Sequence, residues 1–280
     1  MTLTNTPGMA PQRNRTRIIF RWVKVVILLY CSTGIIFYYL QDKLLLHPQA
    51  LPNNYVYHFN HPFNEINIDI NKNETINMIQ FLPKSPRRGV LLYFHGNMQN
   101  INHYAARADL FTSYGYEVWM PDYPGFGKSR GNLTEAKLYN LAHIIYKLAR
   151  SKIGQDSIIV YGRSFGTGIA AELGSQYKCK LLVLETPYFS IPDLAATYAP
   201  IYPMESMCML KLPTYLYLRS VSAPVIIFHG TDDGLIPYRS ASKLKKELKA
   251  GDKFVTILNG THNDLPNFTL YRNTVDSLLR

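Results

Sequence analysis

The sequence predicts an α/β fold with a mostly parallel central sheet, and three observations carry that prediction. Short apolar runs recur at Val90 to Phe94, Ile158 to Tyr161, Leu181 to Leu184, Val225 to Phe228 and Phe254 to Leu258, without the polar alternation of a half-exposed strand. Stretches of helical periodicity separate them, as right-handed parallel crossovers require. Each run ends in a polar cluster, which includes glycine in all but the run at Leu181, and this is the edge at which ligands bind in such sheets. With 280 residues, 47% of them hydrophobic and 18% charged, the chain has enough apolar material for one ordinary domain with an extension, and its composition argues against disorder.

The chain opens on a polar stretch ending in Arg13, Arg15, Arg17, Arg21 and Lys24, which hold +5 of the formal net charge of +11. Val25 to Leu40 then contains no charge. Extended back through Lys24, which can snorkel, to Trp22, the stretch reads as one transmembrane helix over 22–40 acting as a signal anchor, after a basic tail at 1–21. A cleaved signal peptide is the rival, but Phe37, Tyr38, Tyr39 and Leu40 offer no small-residue cleavage site. Positive charge stays on the cytoplasmic side, so the rest of the chain is expected on the far side, periplasmic if the source is bacterial. The remaining basic residues are scattered apart from Lys243, Lys245, Lys246 and Lys249, which alternate with Leu244 and Leu248 as a solvated helix face does; nucleic acid is not expected as a partner.

Residues 41–63, with Pro48, Pro52 and Pro62, read as a linker, and 64–280 as the folded domain. Glu65 to Ile70 and Thr75 to Phe81 alternate around Asn71-Lys72-Asn73, an antiparallel hairpin. The run at Val90 feeds His95-Gly96-Asn97-Met98, then come a helix over Ile101 to Ser113, a strand Glu117 to Met120 and the loop Asp122 to Gly131. In that loop Gly127-Lys128-Ser129 fails as a phosphate loop, because the position that needs the first glycine is Asp122. A helix from Leu133 to about Arg150 precedes the run at Ile158, and helices near Ser240 to Lys249 and Thr269 to Leu279 close the chain. The segment at about 187–222, rich in Tyr and Met and broken by prolines, is expected as a small cap over the strand ends or as an ordinary connection.

Chemistry concentrates at Ser157 to Gly174. Ser164 stands at the corner between strand and helix, flanked two residues away on each side by Gly162 and Gly166, which remove the side chains a turn that sharp would crowd. Such turns also occur where nothing reacts. Here, however, a serine that needs a base and an acid is followed by Asp232 and Asp233 at one strand end and His262 at the next. Glu185, closing the intervening strand, is a rival acid. No short His spacing supports zinc, and no cofactor or metal site is expected. Cys31, Cys179 and Cys208 make no disulfide framework, although a Cys179 to Cys208 bridge remains open.

With these pieces in order, the chain resembles the α/β-hydrolase superfamily, in particular membrane-tethered serine hydrolases of the serine aminopeptidase-like and depalmitoylase-like type. The matching segments are His95 to Asn97, Asp122 to Gly131, Gly162 to Gly168, His229 to Pro237 and Gly260 to Asp264, which together span roughly Glu65 to Arg280. The resemblance implies an α/β-hydrolase fold with a catalytic triad of Ser164, Asp233 and His262, choosing Asp233 over Asp232, and leaves His95 and His229 to shape strand ends. Thr261 stands where such chains commonly have glycine. The expected oxyanion hole is the backbone N–H of Phe165 with that of Asn97, or of Met98 in its place. The expected activity is cleavage of carboxylic ester or thioester bonds in a small or lipid-like acyl substrate, with peptidase, amidase and non-catalytic binding as alternatives.

Overall fold

The β-branched runs form the centre of an eight-stranded sheet, because residues apolar on both sides of the pleat need cover on both. The computed structural model describes residues 13–280; the first twelve residues of the expected basic tail lie outside the described residues. Two units result, divided after Leu44. The first is helix α1 (Arg13–Leu45), which runs beyond the expected 22–40 at both ends. Trp22, Ile27, Leu28, Leu29 and Tyr39 are all exposed on it, and it is long and apolar enough to cross a membrane.

The second unit holds strands β1 (Phe63–Asn71), β2 (Glu74–Phe81), β3 (Gly89–Phe94), β4 (Tyr116–Pro121), β5 (Ile158–Arg163), β6 (Leu181–Glu185), β7 (Val225–Gly230) and β8 (Lys253–Ile257). Their spatial order is β8-β7-β6-β5-β3-β4-β2-β1. All neighbours pair in parallel except around β2, which is antiparallel to both β1 and β4. This is the α/β-hydrolase architecture. Successive residues alternate between two cores. Val90, Leu92, Val160 and Leu182 face helices α2 (Glu135–Arg150) and α3 (Gly166–Gln176), whereas Leu91, Tyr93, Ile159 and Val183 face Phe111 and helix α4 (Thr269–Leu279).

Several local expectations change. β2 alternates in sequence but is buried on both faces, because Ile76 and Met78 enter one core and Ile79 and Phe81 the other; its polar members Asn77 and Gln80 go inside, and Asn77 is satisfied by Glu65, Asn67, Tyr57 and Ser129. The helix over Ile101 to Ser113 is broken into Ile101–Tyr104, a 3-10 turn at Ala105–Arg107 and Ala108–Thr112. Helix Tyr238–Ala241 likewise passes into a 3-10 turn at Ser242–Glu247, with Leu244 buried and Lys243, Lys245 and Lys246 in solvent. The supposed linker is not a free tether: Leu46 and Tyr57 are buried and Phe59 packs on Tyr57, Phe63 and Phe81. The segment at 187–222 divides. Thr214–Leu218 packs on α3, while around Ile191–Tyr198 and Met204–Met207 the side chains of Tyr198, Ile201 and Met209 are exposed. All three cysteines are free; burial pushes the Cys179 thiol up to about 12, which makes it inert.

Candidate active site

Register fixes where the strand ends meet: Phe94 lies opposite Gly162, Arg163 opposite Glu185 and Glu185 opposite Phe228. The turn from β5 into α3 leaves Ser164 at φ +51°, a left-handed conformation rare for a residue with a side chain. A Cβ on Gly166 would sit 2.1 Å from the Phe94 carbonyl oxygen, and one on Gly162 would sit 2.6 Å from that of Gly166. Both glycines are therefore required by space. The Ser164 N–H donates to Glu185 O at 2.9 Å, pinning the corner to the next strand.

Across that edge the Ser164 Oγ is 3.0 Å from His262 Nε2, and His262 Nδ1 is 2.8 Å from Asp233 Oδ2. The other Asp233 oxygen accepts the N–H groups of Leu235 and Ile236, at 2.9 and 2.7 Å. Burial would raise the Asp233 carboxyl, but the hydrogen bond and charge of His262 together with the Ile236 N–H bring it below the ordinary carboxylate range. It stays ionised, and an ionised carboxylate selects the His262 tautomer with its proton on Nδ1 and a free acceptor toward Ser164. Asp232 is exposed, and among the described residues its side chain accepts only from Thr231 Oγ1. His229 is not a base here. Its Nε2 donates to Ile236 O at 2.9 Å, and burial lowers its pKa so that it stays neutral.

The rival Glu185 is engaged elsewhere. One oxygen meets Arg163 Nε at 3.0 Å and Arg107 at 3.3 Å, and the other accepts from Tyr161 and Tyr271. Although burial pushes its carboxyl up, the two guanidinium groups and two hydroxyls hold it at about 2. Its partner Arg163 also donates to His262 O at 3.2 Å and to Asn263 Oδ1 at 2.6 Å. Glu185 thus braces the backbone of the histidine loop without touching the imidazole. Sequence reading missed Arg163, Arg107 and Tyr271 entirely. The one local sign was an arginine inside a buried strand end, where a charge requires a partner.

The expected oxyanion donors are the backbone N–H groups of Asn97 and Phe165. Among the described residues neither Asn97 N–H nor Phe165 N–H donates to a protein acceptor. Met98 N–H is spent on Tyr104 Oη at 3.2 Å, which leaves Asn97 as the donor of that loop. The peptide carrying the Asn97 N–H is oriented from its other end, since Gly96 O accepts from His95 Nδ1 at 2.7 Å. His95 Nε2 lies 3.2 Å from Asp122 Oδ1, which also accepts the Ile101 N–H; both side chains are fully buried, and burial raises the Asp122 carboxyl. A hydroxyl, an imidazole within hydrogen-bond reach of it, an ionised carboxylate and two N–H groups without a protein acceptor among the described residues are parts that acyl transfer through serine requires. Among the described residues no three His, Cys, Asp or Glu side chains converge as metal ligands do.

Comparison with known proteins agrees with this architecture. A family model described as alpha/beta hydrolase fold matches residues 89–206, which contain Ser164 but stop short of Asp233 and His262. Alpha/beta hydrolase domain-containing protein 17C of Xenopus laevis is 27% identical over 192 residues, 66% of this chain and 59% of that protein. Its Mus musculus counterpart is 26% identical over the same share of this chain and 57% of its own. The chain thus spans less than two thirds of these curated relatives. Among solved structures, the Pyrococcus furiosus esterase Pf2001 superposes with a TM-score of 0.64 at 16% identity, covering 84% of this chain and 97% of the other. Est1E of Butyrivibrio proteoclasticus, solved with ferulic acid bound, gives 0.60 at 20% identity over 76% and 96%.

Proposed function

The chain is an α/β-hydrolase related to the domain-containing protein 17C group and, in fold, to esterases, and from that premise we propose that it is a serine hydrolase cleaving carboxylic ester or thioester bonds through an acyl-enzyme. The observation that carries the reading is the relay Asp233 to His262 to Ser164 at 2.8 and 3.0 Å. His262 Nε2 takes the Ser164 proton as Oγ bonds to the acyl carbon. The carbonyl oxygen takes up the electron pair beside the Asn97 and Phe165 N–H groups. Collapse breaks the bond to the leaving oxygen or sulfur, which receives the proton from His262. Water then repeats the sequence, with His262 as base, and frees the acid. Asp233 stabilises the imidazolium formed in each half.

The apolar rim favours an acyl or lipid-like substrate. Tyr198 and Leu235 are exposed beside the acid loop, with Tyr198 Oη donating to Leu235 O at 2.7 Å, and Ile201 is exposed just beyond. Helix α1 serves in this reading as a membrane anchor of the depalmitoylase-like type, with the basic tail cytoplasmic and the hydrolase domain on the opposite side.

A fluorophosphonate probe is expected to label the full chain at Ser164, and Ser164→Ala to lose both label and nitrophenyl-ester turnover, by roughly 10⁶-fold in kcat. A folded wild type that takes no label makes the protein a binding module. Turnover of aminoacyl anilides in preference to nitrophenyl esters makes it a peptidase or amidase.

A further inference from the structure

The loop bearing the Asn97 donor is held from outside the eight-stranded sheet. β3 ends at Phe94, so residues 97–99 have no partner in that sheet. Their partner is the stretch that follows the apolar helix: His47 pairs in parallel with Met98, and Pro48 with Gln99. His47 N–H donates to Asn97 O and Gln49 N–H to Gln99 O, each at 2.9 Å, while Asn97 Nδ2 donates to Leu45 O. Asn100 Nδ2 reaches Gln49 O at 3.0 Å. On its other side the same stretch is bonded to the loop after β4, through Gly127 N–H to Gln49 O at 3.0 Å and Leu51 N–H to Gly127 O at 2.7 Å. Leu46 between these bonds is buried in the core.

Four of the backbone groups of 97–99 define the local arrangement. The helix-proximal stretch takes Asn97 O and Gln99 O, Tyr104 takes Met98 N–H, and Asn97 N–H is left over. Gln99 is held at φ +53°, a strained conformation that persists only where surrounding bonds over-determine it. We propose that residues 45–51 are a positioning strap that aims the Asn97 N–H at the oxyanion, so that the residues ending and following the apolar helix set the rate of the acyl-transfer step. The inference rests on the serine hydrolase reading. An error in donor placement near 1 Å costs about 100-fold where geometry governs the barrier, and loss of one donor costs about 100-fold or more.

The test uses the full chain in detergent, with nitrophenyl butyrate turnover, fluorophosphonate labelling and a thermal melt. His47→Pro deletes the N–H that reaches Asn97 O. Its kcat is expected to fall at least about tenfold with KM within about twofold and the melt retained. A folded His47→Pro with wild-type kcat, or a loss confined to KM, overturns the strap. Should His47→Pro lose its cooperative melt, Asn97→Ala, which keeps the backbone donor and loses only the bond to Leu45, carries the test with the same two outcomes. If wild type itself neither turns over ester nor takes label, the hydrolase reading is at fault and the strap falls with it.

Discussion

Ser164 carries a conformational cost that the proposed chemistry requires. At φ +51° a residue with a Cβ is about 1 kcal/mol worse off than glycine. Ser164→Gly and Ser164→Ala both lose the hydroxyl, so their difference isolates the backbone: the glycine variant is expected to melt roughly 2–4 °C above the alanine variant. Equal melting temperatures would mean that the corner is not left-handed. The sharp corner at Ser164 was legible from Gly162 and Gly166, since only glycine fits where a Cβ would meet carbonyl oxygens within 2.6 Å, whereas the proposed role of that serine was read from the aspartate and histidine that follow it in order. Choosing between Asp232 and Asp233 was not legible from spacing, because both follow the same strand. What separates them is three-dimensional: Asp233 receives two backbone N–H groups and His262, whereas Asp232 points to solvent.

At the level of elements, β5, β6 and the histidine loop are joined by one buried charge cluster. Glu185 neutralises Arg163, and Arg163 holds His262 O and Asn263 Oδ1. Removing the carboxylate leaves a buried guanidinium without its counter-charge, and Glu185→Gln is expected to cost about 3 kcal/mol or more. The pH sign follows from the lowered carboxyl. Because Glu185 holds its proton less tightly folded than unfolded, its contribution is complete above the ordinary carboxylate range and is lost as pH falls toward about 2. Wild-type melting temperature should therefore drop between about pH 4.5 and 2, with a shallower drop in Glu185→Gln; parallel curves would remove the cluster from the account. Strand sites were readable because apolar runs and glycines act locally. The broken helix at 101–112 and the docking of residues 46–62 were not, since both depend on partners far along the chain, such as Arg107 reaching Glu185 and Tyr57 reaching Asn77.

On the scale of the whole molecule, a long apolar helix and a hydrolase domain are separate units of one chain. The proposed orientation predicts that protease added to intact cells or spheroplasts digests the domain, and protection there would reverse it. Within the domain, Gly166 sets the start of α3 so close against the end of β3 that even a Cβ there would meet the Phe94 and His95 carbonyl oxygens. The turn that carries Ser164 and the end of β3 cannot close further on each other without driving main-chain atoms together, and close-packed interiors resist such compression. Under the proposed function, accommodation of differently shaped acyl groups then comes from the surface beside the acid loop, where Tyr198 and Leu235 stand in solvent. The consequence, if the proposed reaction holds, is a division of labour between a stiff anvil that does not adapt and a pliable mouth that does, so that selectivity can drift in descendants of this chain while that reaction stays the same.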